Sequence, residues 1–354
     1  MDFSGKVVVV TGGSAGVGKA IALAFAEKGA NVAILSRDSM RLRKVEKEIE
    51  KKETRAMALV CDVSCEDEIT DCIEKVEKTL GKIDIWVNNA MVTVFSLVKD
   101  MSAEEYRRVT EVTYLGSVFG TMGILPRMLS RNSGIIIQVG SALSYRSIPL
   151  QSAYCGAKHG IRAFVDSLRV ELAHAKSGVK VTMVHLPGLN TPQFSWSRTH
   201  TKNKPRPVPP VYHPELAAGA VLFAAEHPER REVFLGSSTL AVIIMNSLFP
   251  KIVDEYIKLT GFSSQFRKER VSERRKDNLF NAVDGTFGVE GEFRDEARRK
   301  STQFRLEKVP VLYYFFDIFS GLWAIAKMMP GFVKAYITKN SEKGNIGWNK
   351  LRLW

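Results

Sequence analysis

Cysteine is scarce in this chain and has no pairing pattern. Cys61, Cys65, Cys72 and Cys155 are its four cysteines in 354 residues, none in CxxC spacing, and its six histidines do not cluster. Neither a zinc module nor a disulfide framework is therefore expected, and no metal site; the thiols fit a reducing compartment. Long uncharged runs are also missing. The most apolar stretch, residues 309–333, is broken by Asp317 and Lys327 into pieces shorter than the ~20 residues of a spanning helix. MDFSGK passes directly into VVVV, which leaves no room for a charged leader, an apolar signal core and a cleavage site, so a cytoplasmic location is expected. Internal repeats are absent. The formal net charge of +13 comes without a stacked-aromatic or recognition-helix pattern, and reads as a solvated surface, not a nucleic-acid footprint.

What is present is a globular composition, 45% hydrophobic and 25% charged, in a length that suits one large domain or a domain with an appendage. KVVVV, NVAIL, RAMALV, KIDIWV, GIIIQV and KVTMVHL are apolar enough for strands buried on both faces. Between them lie amphipathic stretches at 19–28, 40–52, 66–80, 103–130 and 152–175. The alternation predicts a doubly wound α/β fold, a parallel sheet between two helix layers. After Gly188 the texture changes: Pro192, Pro205, Pro207, Pro209 and Pro210 exclude a regular helix or central strand, and an excursion of this length after the last long strand suggests a substrate loop at 189–213. A helix from Pro214 and a strand at EVFLG complete a domain over residues 1–240. Residues 241–354 form a mainly helical or irregular extension. Within it, 263–308 is charge-dense, with Gly285, Gly288 and Gly291, and shows no core of its own. Residues 309–333 read as a helix packed on the main domain or as one lying at a membrane surface, the second being a route to peripheral membrane contact.

TGGSAGVG, from Thr11 to Gly18, stands between the first strand and the first helix. Glycines there let the backbone turn sharply and approach a phosphate, and the helix N-terminus supplies free N–H groups and positive potential. In form, TGxxxGxG, it resembles the turn of the short-chain dehydrogenase/reductase (SDR) family, and the resemblance extends over about residues 3–240. It implies a Rossmann-type domain binding a nicotinamide dinucleotide through Gly12, Ser14, Gly16, Val17 and Gly18. Ser36 and Arg37 in ILSRD stand where NAD-specific members carry an acid for the ribose hydroxyls; a permanently charged, forked arginine suits a 2′-phosphate instead. NADP(H) is therefore expected over NAD(H). Asp62 and Val63, in LVCDV, match the adenine contact, with a helix N-cap as the alternative role for Asp62. Asn88 and Asn89 match the family's NNAG segment and are expected to hold strand ends together near the cofactor. Met91 replaces its glycine and is expected to contact the substrate.

GIIIQVGS ends at Ser141, beyond a strand's carboxyl end, where open α/β sheets bind ligands. Tyr154 and Lys158, in YCGAK, lie at i and i+4 and face one side of a helix. A phenol has an ordinary pKa of about 10, and a nearby ammonium favours its phenolate. By resemblance, Tyr154 is the general acid/base, Ser141 positions the substrate oxygen, and Lys158 tunes Tyr154 and holds the nicotinamide ribose. The family's helix asparagine, which by resemblance bends the helix and joins a water-linked proton relay, is replaced by Thr113, a catalytic candidate expected to substitute for it in part by bonding back to the carbonyl one turn earlier and disturbing the helix. Pro187, Gly188 and Thr191, in LPGLNT, match the nicotinamide border, and Phe194 and Trp196 beyond them are expected to close over substrate. Arg198, Lys202, Lys204 and Arg206 read as solvated loop charges, with attraction of an acidic substrate as the alternative. These features imply an NADP(H)-dependent enzyme interconverting an alcohol and a carbonyl in a small-molecule substrate. A noncatalytic nucleotide-binding sensor or scaffold is the competing reading, motivated by Thr113, Met91 and the extension. The resemblance further implies a homodimer or homotetramer paired through the helices at 103–130 and 152–175.

Overall fold

Seven parallel strands form the centre of the molecule, and their sequences explain why. The computed structural model describes residues 2–309 except residue 273. The strands are β1 (Val7–Thr11), β2 (Asn31–Ser36), β3 (Ala56–Val60), β4 (Ile83–Asn88), β6 (Gly134–Ser141), β7 (Val179–Leu186) and β10 (Glu232–Phe234), in the spatial order β10-β7-β6-β4-β1-β2-β3. Val8, Val9, Val10, Ile34 and Trp86 are fully buried, as near-continuous apolar strands covered on both faces require. Helices α1 (Gly16–Ala26), α2 (Ser39–Glu50) and α8 (Pro214–Glu226) cover one face with a core around Ile21, Phe25, Leu42 and Val221. Helices α3 (Glu66–Thr79), α5 (Gly116–Ser130) and α6 (Ser152–His174) cover the other around Ile73, Ile124, Ile161 and Val165. The chain order reverses between β1 and β4, the switch point at which such sheets open a crevice.

The stretch at 103–130 is not one uniform helix. Helix α4 (Ala103–Thr110) leads into a π-helical turn, Glu111–Leu115, before α5. Thr113 sits in that widened turn but does not bond one turn back, as its sequence suggested. Its hydroxyl donates 3.0 Å to the carbonyl of Val92 and accepts 3.1 Å from the Val92 N–H, so it ties the helix to the loop after β4. Ser117 makes the back-bond instead, 3.1 Å to the Thr113 carbonyl.

The proline-rich excursion carries more order than an irregular loop. It holds a short helix, α7 (Gln193–Trp196), and two short strands, β8 (Arg198–Thr199) and β9 (Asn203–Pro205). The first pairs with β5 (Val94–Phe95), the second antiparallel with β11 (Phe266–Arg270) of the extension. Helices α9 (Ser237–Leu248) and α10 (Pro250–Thr260) precede β11. Residues 263–308 pack into clusters made mostly of main-domain residues. Leu279 is fully buried in the α3–α5–α6 core, and Phe293 packs with Phe95, Phe194 and Val211 in a third cluster. The chain through Phe304 is one compact unit. Among the described residues no helix is long and apolar enough to cross a membrane. Beyond residue 309, the apolar segment and its two readings lie outside the described residues.

Candidate functional site

One cavity of about 570 Å³ lies at the carboxyl ends of the strands and brings the separate motifs together. It is lined by Gly12, Ser14, Gly16, Val17 and Gly18 from the first turn, by Arg37, Asp62 and Val63 from the next two strand ends, and by Asn89 and Met91 after β4. Ser141, Tyr154 and Lys158 border its other side, with Pro187, Gly188 and Thr191 between. Val112 lines it too, whereas Thr113 is fully buried behind it.

The glycine turn is packed as a cradle must be. Gly12 has φ +67°, and a Cβ on Gly18 would meet the Gly12 carbonyl oxygen at 2.2 Å, so any side chain there would push the turn apart. Asn89 fastens the turn, its Nδ2 donating 2.9 Å to the Thr11 carbonyl and its N–H 2.9 Å to the Thr11 hydroxyl. Asn88 accepts from the Trp86 indole and donates to the Ser117 carbonyl and the Thr121 hydroxyl, joining β4 to α5. The strand-end role fits Asn89, which ties the end of β4 to the end of β1, whereas Asn88 ties β4 to a helix. Asp62 does not cap α3, whose N-cap is Cys65; its carboxylate takes the Ser64 N–H and hydroxyl and pairs with Arg108.

At the other end, Ser141 closes β6, its hydroxyl accepting the Leu143 N–H at 3.1 Å. Tyr154 projects from the first turn of α6 and lines the cavity with Ser141. Burial, and then the neighbouring Cys155, push the Tyr154 phenol above its ordinary value, and the nearby Ser141 hydroxyl acts against them. Burial lowers the Lys158 ammonium to about 8. Its Nζ donates 2.6 Å to the Val139 carbonyl and lies 5.6 Å from the centre of the Tyr154 ring. The ammonium and the tyrosine ring thus stand close together on the cavity wall.

A polar group not singled out in the sequence supports Ser141 from behind. The fully buried His185 lies 3.2 Å from the Ser141 carbonyl through Nδ1 and 3.2 Å from Glu232 through Nε2. Tyr145 donates 2.6 Å to the same carboxylate, and Arg162 lies 3.8 Å over the Tyr145 ring. Burial would raise the Glu232 carboxyl, but the bonds from His185 and Tyr145 and the Arg162 charge bring it down to about 2. These residues come from β7, β10, α6 and the turn after β6, so no local spacing marked them.

Arg37 and the loop aromatics are placed differently from the simplest expectation. Arg37 is half-buried, and three of its contacts go to main-chain carbonyls of the extension, at Asn278, Leu279 and Phe280. The Phe194 ring packs with Phe95 and Phe293, and Trp196 packs edge-on against Phe287 beside Arg41. Both aromatics border the cavity while their rings are held by other aromatic rings. Three of the loop cations are paired: Arg198 with Glu105 and Asp277, Lys204 with Glu269, Arg206 with Glu296. Elsewhere His213 meets Glu215 and Glu290 at 3.3 and 3.2 Å, a grouping that sequence spacing hides.

Comparison with known proteins shows the family and the fold. The pattern of the short chain dehydrogenase family matches residues 6–202. The chain belongs to that family. It is 31% identical over 326 residues, 91% of this chain and 90% of the relative, to the uncharacterized oxidoreductase YxnA of Bacillus subtilis. It is 34% identical over 176 residues to the human dehydrogenase/reductase SDR family member 7, covering 49% of this chain and 52% of that one. Among solved structures it resembles an alcohol dehydrogenase of the archaeon Thermococcus sibiricus complexed with 5-hydroxy-NADP, with TM-score 0.57, 26% identity, and coverage of 65% of this chain and 95% of that one. The protein is thus an oxidoreductase by family, with the Rossmann-type fold that its motifs implied.

Proposed function

We propose that this SDR protein interconverts an alcohol and a carbonyl with NADP(H), Tyr154 acting as general acid/base. The observation that carries the reading is a single cavity with a glycine cradle at one end and Ser141, Tyr154 and Lys158 at the other. The bound dinucleotide would supply or accept the hydride. Residues 12–18, Asp62, Val63 and Asn89 would hold its adenosine and pyrophosphate part, and Lys158, Pro187, Gly188 and Thr191 its nicotinamide end. Ser141 and Tyr154 would fix the substrate oxygen by two hydrogen bonds. The raised phenol is protonated at neutral pH, so it is ready to donate to an oxygen that gains negative charge. In the oxidative direction the Lys158 ammonium stabilises the phenolate that removes the hydroxyl proton.

Leu143, Ile148, Val242, Val253 and Ile257 line the cavity beyond Tyr154, which favours an apolar substrate body around the reacting carbon. NADP(H) over NAD(H) is supported by Arg37 just after β2 and by the lack of an acid at Ser36 and Arg37 themselves. The T. sibiricus relative, whose complex holds an NADP derivative, agrees. A homodimer or homotetramer is supported by exposed Met122 and Leu129 on α5 and Val170 on α6, apolar groups on the helices expected to pair. Titrating NADPH and NADH into wild-type and Arg37→Ala protein tests the assignment. A preference for NADPH that disappears in the variant supports it, and binding of neither removes it. Tight NADPH binding with no turnover on any carbonyl would instead assign a noncatalytic sensor.

A further inference from the structure

We infer that residues 275–291 of the extension are the outer wall of the nucleotide site, a strap that encloses the adenosine half and must lift for the dinucleotide to exchange. The inference rests on the dinucleotide reading above and adds a wall that the family's matched region does not contain. The strap touches, one after another, the segments that this reading assigns to the nucleotide.

Arg37, at the end of β2, donates to three successive strap carbonyls: 2.6 Å to Asn278, 3.3 Å to Leu279 and 2.9 Å to Phe280. A guanidinium has five N–H donors, so these three leave part of its fork for an anion. Arg108 adds 3.1 Å to the Leu279 carbonyl while its other nitrogens hold Ser64 and Asp62, the strand end assigned to the adenine. Arg41 donates 2.6 Å to the Val283 carbonyl, and its guanidinium lies 5.3 Å from the Trp196 ring and 5.4 Å from the Phe287 ring. At the glycine cradle, the Gly16 N–H donates 3.0 Å to the Gly288 carbonyl. Asn278 and Ala282 line the cavity itself.

The far end of the strap is seated on the substrate side. Gly291 donates 3.2 Å to the Asn190 carbonyl, and a Cβ there would lie 2.4 Å from the Thr191 oxygen, so only glycine fits. Arg275 reaches the loop, its Nε donating 2.8 Å to the Ser195 carbonyl and its Nη2 2.8 Å to that of Phe194. The Asn278 N–H donates 3.0 Å to the Trp196 carbonyl. The strap therefore joins the cofactor half of the cavity to the loop over its substrate half. Arg275 is the latch: a positioning residue with no part in the chemistry.

The strap holds to the core mainly by hydrogen bonds to charged side chains, with Leu279 as its buried anchor. Such an element opens locally well before the sheet unfolds. Two arrangements are distinguishable. A wall closes over bound nucleotide; a competitor occupies the site and leaves when nucleotide arrives. The unused part of the Arg37 fork and the remaining cavity favour the wall.

The test is stopped-flow NADPH binding and release with wild-type, Arg275→Ala and Arg275→Lys protein, together with amide hydrogen exchange across 275–293. For a wall, NADPH slows exchange in the strap. Arg275→Ala speeds NADPH release about tenfold with a smaller change in the association rate, and Arg275→Lys, which cannot span two carbonyls, falls between. Faster strap exchange on NADPH binding, tighter binding by Arg275→Ala, or release rates equal to wild type would overturn the inference. If Arg275→Ala does not fold, the exchange measurement on wild type alone decides. Wild-type protein that binds neither NADPH nor NADH removes the dinucleotide reading itself, an outcome separable from every failure of the strap.

Discussion

The seven-stranded sheet and the strap over its carboxyl edge are held together in opposite ways. In the sheet, Val8, Val10, Ile34 and Ile137 are fully buried, and regular main-chain ladders join neighbouring strands. In the strap, Arg37 and Arg41 of the core reach across to carbonyls of an irregular chain, Arg275 of the strap reaches back to a loop carbonyl, and few apolar side chains are buried. Apolar burial scales with area and stabilises the whole fold, whereas a hydrogen bond to a charged group fixes one segment in one place. The first arrangement suits a scaffold and the second suits a part that opens.

Breaking the chemical end of the cavity should give the largest effect. Tyr154→Phe removes the proton donor without changing the ring, and turnover should fall by about a thousandfold while the melting curve stays unchanged. Steady-state rates beside circular dichroism check both halves; a stable protein with near wild-type rates contradicts the role. Next comes the sheet. Ile137→Ala opens a cavity under β6 and should lower stability by about 2–4 kcal/mol in denaturant titration, whereas Arg275→Ala in the strap should leave the denaturation midpoint within error.

A smaller, pH-dependent effect is expected at Glu232, which joins the sheet to the support behind Ser141. Its folded value of about 2 lies below the ordinary 4.5. Its stabilisation is therefore fully present above pH 4.5 and is lost as pH falls toward 2. Glu232→Gln should lower stability at pH 7 by roughly 2–3 kcal/mol, and the gap to wild type should close on acidification. A gap independent of pH would show that shape, not charge, accounts for the loss. The smallest effect is expected on the outer face of α5 and α6. Met122→Glu with Val170→Glu should reduce the molar mass in light scattering and alter turnover by about twofold or less, as expected for surface changes away from the site.

The same contrast explains what could be read in the sequence. The strands announced themselves as apolar runs, and the family comparison and the parallel sheet agree with that reading of fold and family. TGGSAGVG, Ser141 and the Tyr154–Lys158 pair were legible as a candidate site because the geometry of one turn or one helix fixes their spacing, and all of them line one cavity. The strap left no such trace. Its contacts are main-chain carbonyls, which every residue carries, and they meet Arg37 from more than two hundred positions away. Gly285, Gly288 and Gly291 suggested loop and gave no address for it, although Gly291 fits only by touching Thr191. Thr113 was half legible: the helix is disturbed where the sequence placed it, but the hydroxyl found Val92 across space. His185 and Glu232 read as members of strands, and only the sheet order brings them behind Ser141.

The most direct test of the account is turnover of a panel of apolar ketones and aldehydes with NADPH and with NADH, run in parallel on wild-type and Tyr154→Phe protein. The account predicts consumption of NADPH in preference to NADH by the wild type, and its near-complete loss in a variant that still binds NADPH. Turnover that survives in Tyr154→Phe would contradict the assignment of the proton donor and the chemistry built on it.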